Sequence, residues 1–162
     1  MSYDWEAALV FLATVVALTV LGQLLAFRVP ALQRMRELNR EADRVKLSRK
    51  RYSEAVRQNN RAALLVNAGF YVAVLPFCLS LEPRALWRHA LDAVVVLMVF
   101  DFFYYLTHRF VFHGKALRKV HALHHQARTP TYVDGLYVHP LETAIGLVLF
   151  LGSIPLVAAA TG

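Results

Sequence analysis

Four long apolar runs alternate with charged segments along the chain. Ala7 to Phe27 is 21 residues without a charge, long enough to cross the roughly 30 Å hydrocarbon core of a bilayer as a helix. It has no basic leader and no small-residue cleavage pattern, so it reads as an anchor and not as a removed signal. Ala62 to Leu81 is a second uncharged run of 20, with Pro76 as an expected kink. The third, Ala90 to Thr107, has Asp92 at its start and Asp101 inside. The fourth, placed at 141–162, holds the uncharged run from Thr143 to Gly162, with Pro155 in its second half. Backbone groups in lipid must satisfy one another, so the predicted fold is all-α: one membrane domain over 1–162 with about four transmembrane helices.

The segments between the runs set the orientation. Residues 28–61 hold eleven Lys/Arg against four acids, which accounts for the whole formal charge of +7. A basic flank belongs on the cytoplasmic side, and the short loop from Glu82 to His89 is then outside. The basic residues Arg109, Lys115, Arg118, Lys119 and Arg128 after the third span return to the same side. Within the first segment Leu32, Met35, Leu38, Ala42 and Val45 recur at helical spacing, which predicts an amphipathic helix on the membrane surface. The partners this charge implies are anionic lipid headgroups, not nucleic acid. Cys78 is the single cysteine, so no intrachain disulfide forms.

Six of the seven histidines fall within residues 108–139, a segment that follows the third span directly. The seventh, His89, reads as an ordinary loop residue beside Trp87 and Arg88. At about 100° per residue, His121, His124 and His125 span one face of a helix. His108 and His113 are five apart and meet only where the helix loosens, and Gly114 lets it end there. His139 precedes Pro140, a residue favoured in the first turn of a helix, which places it at the mouth of the fourth span. Cysteine is missing from the cluster and carboxylates are sparse. The pattern therefore excludes a zinc finger or an iron–sulfur cluster, argues against calcium or magnesium, and suits iron, zinc, copper or nickel. Asp101 lies two turns before His108 and is expected either to fix the tautomer of a ligand ring or to pair with Arg109 or a neighbouring tyrosine. Glu142, near the start of the fourth helix, is placed for the helix dipole and secondarily for the surroundings of the metal.

The stretch DFFYYLTHRFVFHGKALRKVHALHHQARTPTYVDGLYVHPLE resembles the membrane fatty acid hydroxylase and sterol desaturase superfamily. The likeness rests on an HR-containing first box (His108, Arg109, His113), an HxxHH second box (His121, His124, His125) and the HPLE element from His139 to Glu142. It implies a non-heme site, nominally of two irons, held by His108, His113, His121, His124, His125 and His139, with Asp101 and Glu142 around it. It also implies O2 as co-substrate and a lipid or sterol substrate taken from the bilayer. A cytosolic electron donor, cytochrome b5-like or ferredoxin-like, would be steered by the basic face. Members of the superfamily carry a further HxxHH cluster after more membrane helices, whereas this sequence stops at Gly162. The expectation is a shortened form; the alternatives are completion of the site by a partner copy in a homo-oligomer, or incomplete metal binding without turnover.

Two other classes compete. A bis-histidine heme protein for electron transfer needs ligands on opposing helices, and two compact boxes exceed that need. A metal transporter places its ligands near the midplane of the bilayer, while these lie at its surface. A zinc protease is disfavoured because no HExxH occurs.

Overall fold

A computed structural model describes residues 3–126 and 129–161. Arg128 and Gly162, both used in the sequence reading, lie outside the described residues. The described chain is helical and contains no strand. Its long helices are α1 (Trp5–Arg28), α2 (Pro30–Leu47), α3 (Lys50–Ala73), α4 (Leu86–Leu106) and α6 (Pro140–Thr161). A single turn, α5 (Arg118–His121), lies between α4 and α6. Four helical stretches are long and apolar enough to cross a bilayer: Trp5–Arg28, Lys50–Phe77, Leu86–Phe112 and Pro140–Ala160. The protein is an integral membrane protein.

Each boundary has a local cause. Asp4 starts α1 by accepting the Ala7 N–H on its carboxylate at 2.8 Å. Val29 is extended between α1 and α2, and Pro30 occupies the first position of α2, where its missing N–H costs nothing. The second span differs from its predicted limits of 62–81. Its helix begins twelve residues earlier, at Lys50, and stops at Ala73. Pro76 does not kink this helix; it sits in a separate 3-10 turn, Leu75–Phe77, after the helix has ended. The loop predicted over 82–89 is also shorter at its far end, because α4 starts at Leu86 and takes His89 into its first turn.

α6 is the central post. It packs against both α3 and α4. Phe70, Leu75 and Leu151 are buried together, with Phe11 of α1 and Leu147, Phe150 and Ile154 of α6 against them. Near the start of α6, Thr143 donates to the side-chain oxygen of buried Asn59 on α3. The outward faces of α1 and α4 are apolar and uncovered, with Leu9, Leu18 and Leu21 on α1 and Val94, Met98 and Phe102 on α4 exposed. Such surface suits hydrocarbon and not water. The predicted helix over the basic segment is present as α2, with Leu32, Met35, Leu38 and Val45 exposed.

Candidate metal centre

The last turn of α4 decides the geometry of the first two histidines. Residues Thr107–Phe112 form a π-helical turn, in which the His113 N–H reaches the carbonyl of His108 at 3.0 Å. Bonding from i to i+5 widens the turn by one residue. Two side chains five apart, which diverge on an α-helix, therefore stack on the same side. The His108 and His113 rings lie 4.7 Å apart between centroids. Gly114 follows this turn closely: a Cβ there would overlap the carbonyl oxygen of Phe110. The loosening expected at this place is thus a specific hydrogen-bond shift.

The second box is not one helix. The chain makes a single α-turn, Arg118–His121, and then a 3-10 turn, His124–Gln126. The expected convergence occurs nonetheless. His121 is the hub, with ring centroids 4.6 Å from His108, 4.7 Å from His113, 4.4 Å from His124 and 4.7 Å from His125. Ring nitrogens of His108, His113 and His121 fall within 4.8 Å of one another, and so do those of His121, His124 and His125. Two three-histidine groups therefore share one member. His121 is almost fully buried and stacks on fully buried Phe112 at 5.3 Å. His113 and His125 stand at the open side.

Glu142 grips this cluster from α6. Its Oε1 lies 2.8 Å from His121 Nδ1 and 3.0 Å from His124 Nδ1. With both Nδ1–H groups donating to the carboxylate, both Nε2 lone pairs are left for a ligand. The Nε2 atoms of His121 and His125 are 3.0 Å apart. Two imidazoles bound cis on one metal at about 2.1 Å would stand about 3 Å apart. Glu142 Oε2 is buried without a partner among the described residues. Burial, and next the neighbouring His125 and His113, push His121 below the usual histidine range. His124 is lowered by burial as well, although Glu142 pulls it the other way. Neutral imidazole is the form that ligates metal.

Two expected members stay outside. His139 is not in either group; its Nδ1 accepts the Leu141 N–H at 3.1 Å and closes the start of α6. Asp101 is exposed and makes no hydrogen bond or ion pair among the described residues. The expectation that it orients a ligand ring is corrected. α4 faces the cluster through Phe100, Tyr104 and His108, whose rings follow one another at 5.4 and 5.8 Å. Asp101 falls on the outer edge of that row, and Arg109, its other expected partner, bonds to Tyr105 instead.

A family model for fatty acid hydroxylase matches residues 93–161, from within α4 to the end of α6. This stretch contains both histidine groups and Glu142. Rat methylsterol monooxygenase 1 is 34% identical over 55 residues, covering 33% of this chain and 19% of the rat protein. A putative methylsterol monooxygenase of Dictyostelium discoideum is 36% identical over 55 residues, 34% of this chain and 21% of that protein. Residues 93–161 belong to the fatty acid hydroxylase and sterol desaturase superfamily. Human fatty acid hydroxylase domain-containing protein 2 is similar over 59 residues at 31% identity, covering 36% of this chain and 18% of its own length. The matched stretch thus spans about a fifth of each relative. No solved structure matches.

Residues 93–161 are thus similar to a fatty acid hydroxylase model and to proteins named methylsterol monooxygenases, a likeness that implies iron as the metal. The donor set fits such an ion: five imidazoles, a buried carboxylate behind two of them, and a nitrogen pair at the separation of cis ligands.

A second polar knot, gathered around buried Asp134, was not foreseen from the sequence. Lys46 of α2 donates to the Thr129 carbonyl at 2.8 Å, to Thr131 Oγ1 at 3.0 Å and to Asp134 Oδ2. Tyr52 of α3 donates to Asp134 Oδ1 at 2.5 Å and stacks on Tyr137 at 4.1 Å. Burial alone would raise Asp134, but the hydrogen bonds from Lys46, Tyr52 and Thr131 outweigh it and bring the carboxyl down to about 2. Asp134 is therefore ionised throughout the neutral range. One signal was readable: Thr131-x-x-Asp134 is a capping box, and it forms as such. Lys46 carried no mark, being one of eleven cations in its segment.

Proposed function

We propose that the protein is a membrane-bound non-heme iron oxidoreductase that uses O2 to hydroxylate or desaturate a lipid or sterol, and that His108, His113, His121, His124 and His125 hold the metal, nominally as a pair of irons. The convergence of five imidazoles on His121, backed by Glu142, carries this reading. Their packing also argues against the heme alternative. Rings with centroids 4.3–4.7 Å apart leave no space for a macrocycle between them.

When bound, iron supplies the O2 activation that attack on an unactivated C–H bond demands. The chain's own residues supply the rest. Glu142 fixes the tautomers of His121 and His124, and Phe112 excludes water from the buried side of His121. A groove of about 670 Å³ runs between α4 and α6, apolar at Phe100, Leu147 and Phe150 and polar at His124, Thr143 and Glu142. Its composition suits a hydrocarbon portion in the apolar part and a reacting carbon near the polar end. Gly146 leaves it open, with Tyr104 as the opposite wall.

The exposed cations Arg109, Lys115, Arg118 and Lys119 beside the cluster suit an acidic electron donor, of the cytochrome b5 or ferredoxin kind, and α2 suits anionic headgroups. Donor-supported turnover should then fall as salt is raised, and a flat salt response would remove the electrostatic part of this reading. The histidines are proposed to face the cytoplasm. Cys78 lies at the other end of the bundle, near Val157 and Ala158. In right-side-out vesicles Cys78 is expected to react with a membrane-impermeant maleimide, whereas labelling only after permeabilisation would reverse the orientation.

Elemental analysis of the detergent-purified protein, produced with iron supplied, tests the central reading. Stoichiometric iron together with lipid-dependent O2 uptake is the expected result. Protein that holds neither iron nor added cobalt would overturn it.

A further inference from the structure

We infer that Lys46 and Tyr52 are positioning residues of the histidine centre, acting through Asp134. This rests on the reading of the cluster as a metal site. Both residues lie on α2 and α3, outside the hydroxylase segment 93–161.

The argument starts from connectivity. A single linker joins His125 to Glu142, and both of its ends touch His121. Thr129 and Pro130, near the start of this linker, are exposed, and buried Val133 follows further along. Polar contacts hold the linker at its start. All three acceptors of the Lys46 ammonium, the Thr129 carbonyl, Thr131 Oγ1 and Asp134 Oδ2, lie on this linker. Asp134 is buried, and it also accepts the Thr131 N–H at 2.6 Å and the Tyr52 hydroxyl. Tyr137, also buried, is clamped flat against Tyr52, with the two rings 3° from parallel. Five residues further along the chain is Glu142. Thr143, beside it, is fastened to Asn59.

α2 and α3 therefore brace the linker at its start and middle and α6 at its first turn. The carboxylate that grips His121 and His124 is aimed by contacts to helices the family segment does not include. Outer partners that orient metal ligands are commonly worth 10- to 100-fold in affinity. A partner one step further out should sit at the low end of that range.

Tyr52→Phe removes only a hydroxyl and keeps the ring on Tyr137, while Lys46→Met removes the ammonium and keeps the stem. Arg40→Met removes an exposed charge from the same helix and serves as the control. Cobalt(II) titration in detergent, read by its visible absorption, is expected to weaken about 10-fold in Tyr52→Phe and more in Lys46→Met. The shape of the cobalt spectrum should change in both, and the helical circular dichroism in neither. Lys46→Arg should recover part of the loss. In metal-free protein, modification of buried His121 by diethyl pyrocarbonate should speed up several-fold in the two test variants and not in Arg40→Met. Tyr52→Phe keeps the test decisive if Lys46→Met fails to fold. Wild-type affinity, spectrum and His121 protection in folded variants would overturn the inference. Wild-type protein that binds no cobalt would instead sink the metal reading, and His121 protection would still judge the brace.

Discussion

Replacing His124 and His125 together by alanine is expected to abolish stoichiometric iron, while His139→Ala is expected to leave it bound. The contrast follows from geometry. His125 Nε2 lies 3.0 Å from His121 Nε2, and His124 shares Glu142 with His121. Their removal takes away two of five converging imidazoles and leaves His121 alone on the carboxylate. The loss should exceed the roughly 10- to 100-fold that an outer partner is worth. His139, in contrast, spends its Nδ1 on the Leu141 N–H. Its replacement should cost about 0.5–2 kcal/mol of helix-end stability, read as a lowered unfolding midpoint with iron retained. Iron counts by elemental analysis decide both halves. Full iron in the double variant would remove the site assignment, and iron lost with His139 would bring that residue back into the ligand set.

Gly114→Val should be nearly as damaging, although Gly114 has no side chain that could meet the metal. The glycine backbone here is not in the left-handed region. Its role is close approach, because any Cβ meets the Phe110 carbonyl within the π turn. The turn must shift to admit a side chain, and His108 and His113 shift with it. Overpacking of this kind costs about 1–3 kcal/mol, and each 1.4 kcal/mol that falls on metal binding lowers affinity about tenfold. Cobalt titration and thermal unfolding should therefore both report a loss, with Gly114→Ala milder than Gly114→Val. Unchanged cobalt affinity in a folded Gly114→Val would mean that the ring pair does not depend on the π turn.

The apolar pattern reported where lipid begins and not where helices begin. At α1 and α6 the two nearly coincide: a run of 7–27 against a helix from Trp5 to Arg28, and a span of 141–162 against Pro140 to Thr161. At α3 they separate, because Lys50 to Arg61 is polar helix standing clear of the apolar run. The five converging histidines were legible because their spacing survives the change from one helix to two short turns. Asp101 was misplaced because arithmetic on an ideal helix ignores which face packs. Contact between Phe100 and Phe150, rings 5.3 Å apart, fixes that face. Lys46 and Asp134 are 88 residues apart, and no local pattern joins a pair at that separation.

The π turn also bears on how such a site is written in a chain. An α-turn aligns side chains four apart, and a π-turn aligns side chains five apart. A histidine pair spaced by three residues on a regular helix and the pair His108 and His113, spaced by four, are thus two spellings of one arrangement. A single-residue deletion in a membrane helix ordinarily rotates everything beyond it by about 100°. Between Thr107 and Phe112 the same deletion removes only the surplus residue and returns the hydrogen bonds to α-helical register. The first box can therefore lose one residue of length and keep its two rings on one side, a tolerance that the regular helix α4 before it does not share.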